Sequence, residues 1–250
     1  LACLRALSAV SDTPLTVTGV ESLGDAQYSS AAAVATTNAQ AEILVTAPVD
    51  IHDIKGAGIQ TKTGGIIRMA GGTIDMGEKN SDKQNYAVAT GDRFGGTIRI
   101  NEKDAGNGIN SGRLNITGDI KVTEKGDVAV NFDRKDSSWT GSVSNGGAFA
   151  LTLKNGAVWT TEQRSAGSAE TMAVTSLTGG ADMNSAGVIM AQHDKALEVA
   201  DYSGSVKVLY SHDSAAPTTI KGGDVKIAKA AKGSAVTLVT DNAGVTMTDS

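Results

Sequence analysis

The sequence has few aromatic residues, and this scarcity limits the kind of core that it can build. Aromatic side chains make up 4% of the 250 residues, so valine, isoleucine, leucine, alanine and methionine must form most of the interior. Three prolines against 30 glycines favour many tight turns. The chain is long enough to bury one large core or two small ones.

The sequence also lacks the features of several protein classes. Its one cysteine, Cys3, has no partner within the chain for a disulfide bond. No run approaches the ~20 apolar residues of a membrane-spanning helix, and no initiator methionine or basic leader is present, so we expect a piece of a longer chain. A net charge of −5, spread along the sequence, argues against nucleic acid as a partner.

From residue 42 onward the sequence alternates apolar and polar residues in short runs. Such alternation is typical of strands with one buried face, and glycine, asparagine and aspartate mark the turns between them. No helical stripe longer than two turns follows residue 45, so parallel strands joined by helices are excluded. The predicted fold is all-β, and the alternation alone leaves an antiparallel sandwich or barrel open. The runs are EILVT (42–46), GTIDM (72–76), TIRI (97–100), RLNIT (113–117), DIKVT (119–123) and DVAVNF (127–132).

Recurring glycine pairs favour a β-solenoid. GGTIDM at 71–76 returns as GGTIRI at 95–100, an offset of 24 residues that suits stacked coils. GGIIRM at 64–69 then fits a second strand of the same coil, reached through a corner. At this repeat length the chain makes on the order of ten coils and a rod about 50 Å long.

The 24-residue alignment also predicts neighbouring side chains in adjacent coils. Two apolar pairs stack inside, and one pair of opposite charges lies outside, about 4.8 Å apart. An exposed pair of this kind contributes roughly 0.2–1 kcal/mol, so we expect a solvated pair without a catalytic role. The predicted pairs are Ile74 with Ile98, Met76 with Ile100, and Asp75 with Arg99.

Residues 1–41 differ from the rest of the chain. LACLRALSAV at 1–10 is compatible with a short helix, and YSSAAAVATTNAQA at 28–41 is rich in small residues. We expect an N-terminal cap or flexible lead-in over 1–41, and β-helix coils over 42–138.

From residue 139 to residue 244 the sequence follows a series of linked elements. It has a Trp-x-Gly strand, a coil with leucines, Asn-Gly, alanine and tryptophan, a Val-x-x-Leu coil, a Ser-Gly turn and an alanine- and glycine-rich unit. In order and spacing it resembles the C-terminal portion of the passenger domain of pertactin-like autotransporters, which are secreted by the type V route. The matching residues are Trp139, Gly141, Leu151, Leu153, Asn155, Gly156, Ala157, Trp159, Val174, Leu177, Ser203, Gly204, Ser205, Ala230 and Gly233.

This resemblance implies a fold, a location and a folding role. It implies a right-handed parallel β-helix, exported through a C-terminal outer-membrane barrel of the uncut chain, and displayed on a bacterial cell surface or secreted. The scarcity of cysteine suits a chain that threads a pore unfolded. Residues 139–250 then form the last coils and an autochaperone-like cap, from which the other coils fold outward. The implied cap residues are Trp139, Gly141, Leu151, Leu153, Trp159, Val174, Leu177 and Gly204.

The two tryptophans invite an interpretation from physical chemistry alone. Trp139 and Trp159 are the largest apolar side chains in a sequence with few aromatic residues. We expect them to fill the wider end of the solenoid or to cover its last coil, with the indole N–H at the edge. A platform on which sugars stack is the alternative.

The sequence offers little that points to catalysis. Three histidines each precede an aspartate, at 52–53, 193–194 and 212–213, but adjacent strand residues face opposite sides, so we expect loop or corner roles and no metal site. Carboxylates on adjacent coils are the requirement of a polysaccharide hydrolase or lyase. The carboxylates that would have to meet are Asp75, Asp82, Asp92, Asp119 and Asp127.

We therefore expect a binding protein without catalytic residues, metal or cofactor. The predicted function is that of an adhesin or self-association stalk. Its expected partner is a protein or glycan on a host or bacterial surface, or a second copy of the chain, contacted through outward ladders and loops. A carbohydrate-active β-helix enzyme is the alternative.

Overall fold

The chain folds into a parallel β-helix. A computed structural model describes residues 6–9, 14–19, 31–78, 85–164, 171–192, 194–213, 216–221 and 223–240. These residues form strands joined by turns and one short 3-10 turn, and none of their helical segments is long and apolar enough to cross a membrane. The strands are β1 (Ala6–Ala9), β2 (Leu15–Thr18), β3 (Ala31–Thr36), β4 (Glu42–Val45), β5 (Val49–His52), β6 (Gly56–Thr61), β7 (Ile66–Met69), β8 (Gly72–Asp75), β9 (Tyr86–Thr90), β10 (Gly96–Ile100), β11 (Leu114–Thr117), β12 (Asp119–Val122), β13 (Gly126–Phe132), β14 (Ser138–Gly141), β15 (Val143–Asn145), β16 (Ala148–Leu153), β17 (Val158–Thr161), β18 (Met172–Thr178), β19 (Gly187–Met190), β20 (Leu197–Ser203), β21 (Ser205–Asp213), β22 (Ala216–Lys221), β23 (Val225–Ala230) and β24 (Ala235–Thr240).

Three sheets run along the helix, and each coil contributes one strand to each sheet in turn. Sheet A has the order β1-β4-β7-β10-β13-β16-β18-β20-β23. Sheet B has the order β2-β5-β8-β11-β14-β17-β19-β21, with β24 paired to β21 in parallel and β22 paired to β21 in antiparallel fashion. Sheet C has the order β3-β6-β9-β12-β15. The described strands thus make nine coils, of which the first five have three walls.

Alternation along each strand produces the core. In β13 the side chains of Val128, Val130 and Phe132 are buried, whereas Ala129 and Asn131 between them face outward and are half-buried. In-register pairing places each inward residue on an inward residue of the next coil, so one hydrophobic cluster reaches from Val34 to Val208 and beyond. This confirms the predicted all-β solenoid.

The N-terminal segment is part of the same stack where the structure describes it. Residues 6–9 form the strand β1, so the short helix considered for residues 1–10 is wrong there. Residues 31–36 form β3, within the segment rich in small residues. These strands and β2 pair in parallel with β4, β5 and β6, so the described parts of 1–41 make a coil of the helix.

The predicted register between the glycine-pair repeats is wrong. GGIIRM and GGTIDM do form successive strands of one coil, β7 and β8, as expected. However, β10 pairs with β7, 31 residues earlier, and β8 belongs to sheet B. The neighbours in the structure are Ile98 with Ile67, Ile100 with Met69, Arg99 with Arg68, Ile74 with Ile51 and Ile116, and Asp75 with His52 and Thr117.

The physical reason is that two different corners of the coil both require glycine. Gly72 stands at the turn from sheet A to sheet B, with φ of 137°, where a Cβ atom would collide with the backbone of Val49. Gly96 stands at the turn from sheet C to sheet A, where a Cβ atom would collide with the side chain of Thr61. Extending the observed pairing by one residue aligns Gly96 with Gly65, Gly126 and Gly147.

Sheet C ends after the fifth coil because the later strands of sheet A extend across its corner. The seven-residue strand β18 lies against β15 of sheet C, and also pairs with β16 of sheet A. The hydroxyl of Thr175 in β18 accepts hydrogen bonds from Phe149 N and from the side chain of Asn145. From β18 on, one bent strand of sheet A in each coil takes the place of the separate sheet C and sheet A strands of the earlier coils.

The large aromatic rings fill the core at this transition. Trp139 and Trp159 are fully buried in β14 and β17, with parallel rings 4.5 Å apart. Phe132 stacks on Trp139 at 6.4 Å, and Phe149 meets it edge-on at 6.0 Å. Three further coils follow in the described residues, so the expectation that the pair covers the last coil is wrong.

Candidate functional site: the outer face of sheet A

A charged cleft opens on the outer face of sheet A in the third and fourth coils. Its volume is about 330 Å³. Strands β7 and β10 form its floor, and the loop from residue 101 to residue 112 forms its wall. The cleft is lined by Arg68, Arg99, Glu102, Lys103, Asp104 and Ile109.

Two arginines on neighbouring strands form the centre of the charged cleft. Arg68 and Arg99 are paired residues of β7 and β10, so their positive charges lie side by side. The Nε atom of Arg68 lies 3.3 Å from the carboxylate of Glu42, and its Nη1 atom lies 3.9 Å from Asp104. Arg99 binds the carboxylate and carbonyl groups of Asp127, so each guanidinium group is held by at least one carboxylate.

The wall loop is closed at its base by a buried asparagine. Asn101 is fully buried and has a φ of 59°. Its side chain accepts a hydrogen bond from Gly112 N at 2.6 Å and donates to the Gly112 and Asn131 carbonyl groups at 2.8 and 2.7 Å. The buried side chain of Ile109 anchors the loop further along. The loop is thus held against the sheet at two points.

An exposed aromatic turn adjoins the cleft along the same coil. Gly91 and Gly95 exchange two backbone hydrogen bonds, which project residues 92–94 as a tight turn before β10. The ring of Phe94 is 51% exposed, and the guanidinium carbon of Arg93 lies 5.3 Å from its centre. Arg99 lies five positions after Phe94, at most about 18 Å of extended chain, with the corner at Gly95 and Gly96 between them. We call this turn and the charged cleft together the sheet A site.

The chemistry of the sheet A site is that of hydrogen bonding to polar groups. Hydrogen bonds from the side chain and backbone of Asn107 lower the pKa of Asp104, with Arg68 adding to the effect. Asp104 therefore remains a carboxylate at neutral pH and accepts protons in hydrogen bonds. The guanidinium groups donate, so the cleft offers donors and acceptors side by side, as hydroxyl groups require.

The sequence patterns predicted none of the residues that line the charged cleft as a site. Two signals were present in the sequence. The run Glu102-Lys103-Asp104 follows a strand end, and Phe94 stands beside a glycine pair although aromatic residues are rare. Neither signal shows that β7 brings Arg68 beside Arg99, because that depends on the register.

Sheet B carries an outward ladder along the whole described stack. It is polar in the first coils and apolar in the last ones, and all its members are paired residues of successive strands. The ladder consists of Thr18, His52, Asp75, Thr117, Thr140, Thr160, Met190, Leu209 and Val239.

The first histidine–aspartate pair has the predicted corner role. Asp53 follows β5 with a φ of 55°, which turns its carboxylate back to within 2.8 Å of His52 Nδ1. This hydrogen bond raises the pKa of His52 and lowers the pKa of Asp53. His212 and Asp213 lie in β21 instead of a corner, and His193 lies outside the described residues. The described residues contain no cluster of three or more metal-ligating side chains.

The aspartates considered for hydrolysis do not converge. Asp75 lies on sheet B, and Asp127 pairs with Arg99 on sheet A. Asp92 lies in the Phe94 turn and pairs with Lys121 at 3.0 Å. Asp119 is buried at the start of β12. Asp82 lies outside the described residues.

Asp119 instead joins three parts of the stack. Its carboxylate accepts hydrogen bonds from the backbone N–H groups of Ser142 at 2.8 Å and Arg164 at 3.0 Å. The guanidinium group of Arg164 donates to the carbonyl of Gly77 at 2.7 Å. The segment after β17 is thereby fixed to coils three, four and five.

The residues that the family resemblance implies as a cap lie in the core of the later coils. Each indole N–H donates to a backbone carbonyl at 3.0 Å, Trp139 to Gly118 and Trp159 to Gly141. A Cβ atom at Gly141 would collide with the Trp139 indole, so glycine is needed there. Gly204 turns the chain from β20 to β21 with a φ of 82°. Leu151, Leu153, Val174 and Leu177 are all buried, and Leu151 and Leu177 are paired residues of β16 and β18.

A second, larger groove of about 510 Å³ lies outside the bent strands of the later coils. Outward alanines 173, 200 and 228 lie along it, and Asn145 and Gly146 close one end. Its charged side chains Glu198 and Lys226 lie 3.8 Å apart, so they largely neutralise one another. The groove therefore offers less charge for recognition than the sheet A site.

Comparisons with known proteins identify no family for this chain. No family model matches the sequence, and neither the curated proteins nor the solved structures yielded a match.

Proposed function

We propose that this chain is part of an autotransporter passenger that acts outside a bacterial cell as an adhesin or self-association stalk. Its partner is a protein or glycan on another surface, or a second copy of the chain. The fold supports this proposal together with the sequence pattern of residues 139–244.

The observation that carries the proposal is the continuous stack of nine coils with side-chain ladders on its outer faces. In-register pairing aligns the outward residues of each coil with those of the next, as in the ladder from Thr18 to Val239. Such a rod offers a long contact surface with many weak contacts. Protruding elements such as the Phe94 turn and the loop 101–112 add specific contacts, as loops on rigid scaffolds commonly do.

The test is an adhesion assay with the purified chain coupled to beads. We expect coated beads to clump with one another or to bind cultured cells or bacteria, and beads coated with heat-unfolded chain to do neither. Mixing coated with uncoated beads separates self-association from binding to a surface. Beads that neither clump nor adhere would contradict the proposal.

A carbohydrate-active enzyme is the second candidate function, favoured by the carboxylates of the charged cleft. Glu102 and Asp104 both line it. Because the pKa of Asp104 is lowered, Glu102 would have to supply the acid. New reducing or unsaturated ends after incubation with acidic polysaccharides, abolished by Glu102→Gln, would establish this activity.

A further inference from the structure

The Phe94 turn exposes an aromatic ring where the fold does not need one. Phe132, Phe149, Trp139 and Trp159 are fully buried, whereas Phe94 is 51% exposed. The other large hydrophobic side chains that the described residues expose, Leu238 and Val239, lie in the last described strand. An exposed ring on a tight turn in the middle of a rod provides a flat apolar surface for a ligand.

Three cationic residues lie in or beside this turn, although the chain as a whole is negatively charged. Arg93 lies against the ring, and Lys125 Nζ lies 3.5 Å from the carbonyl oxygen of Arg93. Lys62 belongs to the turn that follows β6, and the backbone of this turn packs directly on Gly91. Within the described residues, none of these three cations has a carboxylate within ion-pair distance.

The nearest acidic groups do not cancel this charge. Asp92, in the same turn, is held by Lys121 at 3.0 Å. Glu124 is exposed beside Lys125 and forms no described ion pair. Three cations against one unpaired carboxylate leave the turn net positive, which suits an anionic ligand.

We propose that the sheet A site binds a linear polysaccharide that contains carboxylated sugars. One sugar ring stacks on Phe94, and its carboxylate group lies among Arg93, Lys62 and Lys125. The following sugars lie along β10, where the mixed donors and acceptors of the charged cleft bind their hydroxyl groups. Lys103, which has no ion pair in the described residues, binds a second carboxylate at the far end. This inference rests on the proposed binding function and names its ligand.

The architecture favours a saccharide over a peptide. Strands β7 and β10 are paired on both sides within sheet A, so no free edge accepts an added strand. The charged cleft is polar, so it lacks the hydrophobic groove that an amphipathic helix needs.

The architecture also favours a saccharide over a single-stranded nucleic acid. Successive bases require several stacking rings, and the turn presents one. In the charged cleft, Glu42 and Asp127 hold the arginines and would repel a phosphate backbone. Hydroxyl groups both donate and accept, so they match a surface with both signs of charge.

The test is isothermal titration of the whole chain with oligogalacturonate, a carboxylated saccharide, and with its carboxyl-reduced, neutral form. We expect Phe94→Ala to weaken binding about two- to tenfold, because a stacked ring is lost. Phe94→Trp should retain affinity, whereas Phe94→Leu, apolar but not flat, should lose it as the alanine variant does. Arg93→Gln with Lys125→Gln should weaken binding about fivefold at low salt.

The control for charge is Lys232→Gln, at an exposed turn of the last coil. The variants change exposed side chains, so thermal midpoints should match that of the parent chain. Equal losses for Lys232→Gln and for the Arg93→Gln, Lys125→Gln variant, or binding of dextran sulfate by the parent chain as tight as that of oligogalacturonate, would reduce the effect to general polyanion attraction and overturn the proposal. Failure of the parent chain to bind the carboxylated oligosaccharide in preference to the neutral one would also overturn it.

The bead assay separates this failure from that of the proposed function. Beads that adhere or clump, while the saccharide titration is negative, would leave the binding function standing and remove only this ligand. Cleavage of the oligosaccharide during titration, seen as shorter products, would instead support the enzymatic candidate.

Discussion

The buried tryptophan pair leads to the sharpest stability prediction. Trp159 is fully buried, stacks on Trp139 at 4.5 Å and donates its N–H to Gly141. Trp159→Ala leaves a cavity between two coils and an unpaired buried carbonyl. We expect a loss of about 3–5 kcal/mol in the free energy of unfolding. Urea denaturation measures this loss.

Trp159→Phe separates the contribution of the ring from that of its N–H donor, and Val239→Ala is the surface control. Trp159→Phe keeps a ring but removes the N–H donor, and we expect a loss of about 1–3 kcal/mol. Val239→Ala changes a side chain that is 39% exposed, and its effect should stay within about 0.5 kcal/mol. A loss below about 1 kcal/mol for Trp159→Ala would refute the reasoning, because a ring buried in a rigid core cannot be removed at so small a cost.

Hydrogen exchange shows where the stack opens in this variant. Because the pair lies in coils five and six, β14 and β17 should lose protection before β24 at the last described coil. Fraying that starts at β24 would instead support the capping role implied by the family resemblance.

Three further predictions test the corners of the coil. Gly96→Ala puts a Cβ atom onto the side chain of Thr61 at the end of β6, at a φ of 126°, so we expect a loss of about 1–3 kcal/mol or more in urea denaturation. Gly112→Ala, whose Cβ would meet nothing closer than 4.0 Å, should change stability by less than about 0.5 kcal/mol. Asp119→Asn should lower the free energy of unfolding by about 1–3 kcal/mol and speed hydrogen exchange of the backbone amides of Ser142 and Arg164, which donate to the carboxylate. Unchanged exchange of these two amides would contradict the role of Asp119. An NMR titration should show a raised pKa for His52 that falls back in Asp53→Asn. The stabilisation from His52 is present below its unfolded-state pKa and disappears as the pH rises through its raised folded-state pKa. The stabilisation from Asp53 is present above its unfolded-state pKa and disappears as the pH falls through its lowered folded-state pKa.

Strand positions followed from the sequence because the pattern is local. The alternation at 127–132 places Val128, Val130 and Phe132 on one face, and β13 buries those three. The burial of Trp159 followed from the size of its side chain, whereas its indole N–H was expected at the edge and instead donates to the Gly141 carbonyl inside the core. Both of the correctly predicted properties depend on a few adjacent residues.

The register could not be predicted from the sequence, because it depends on contacts between distant residues. The glycine pairs at 71–72 and 95–96 look alike in sequence, and only their neighbours Val49 and Thr61 show that they stand at different corners. For a related reason, the sequence did not show how many coils follow the two tryptophans. Outward alanines such as Ala200 and Ala228 blur the alternation in the strands that follow. The charged cleft depends on the same register.

The coils contain different numbers of residues, yet their strands stack at the same spacing along the rod. From β7 to β10 the chain advances 31 residues, and from β13 to β16 it advances 21, yet both steps add one strand to sheet A. The surplus residues leave the stack between strands, as in the loop that Asn101 closes at its base. Foreign segments inserted at residues 105–108 should therefore be presented at a fixed height along the rod without changing the coils above or below.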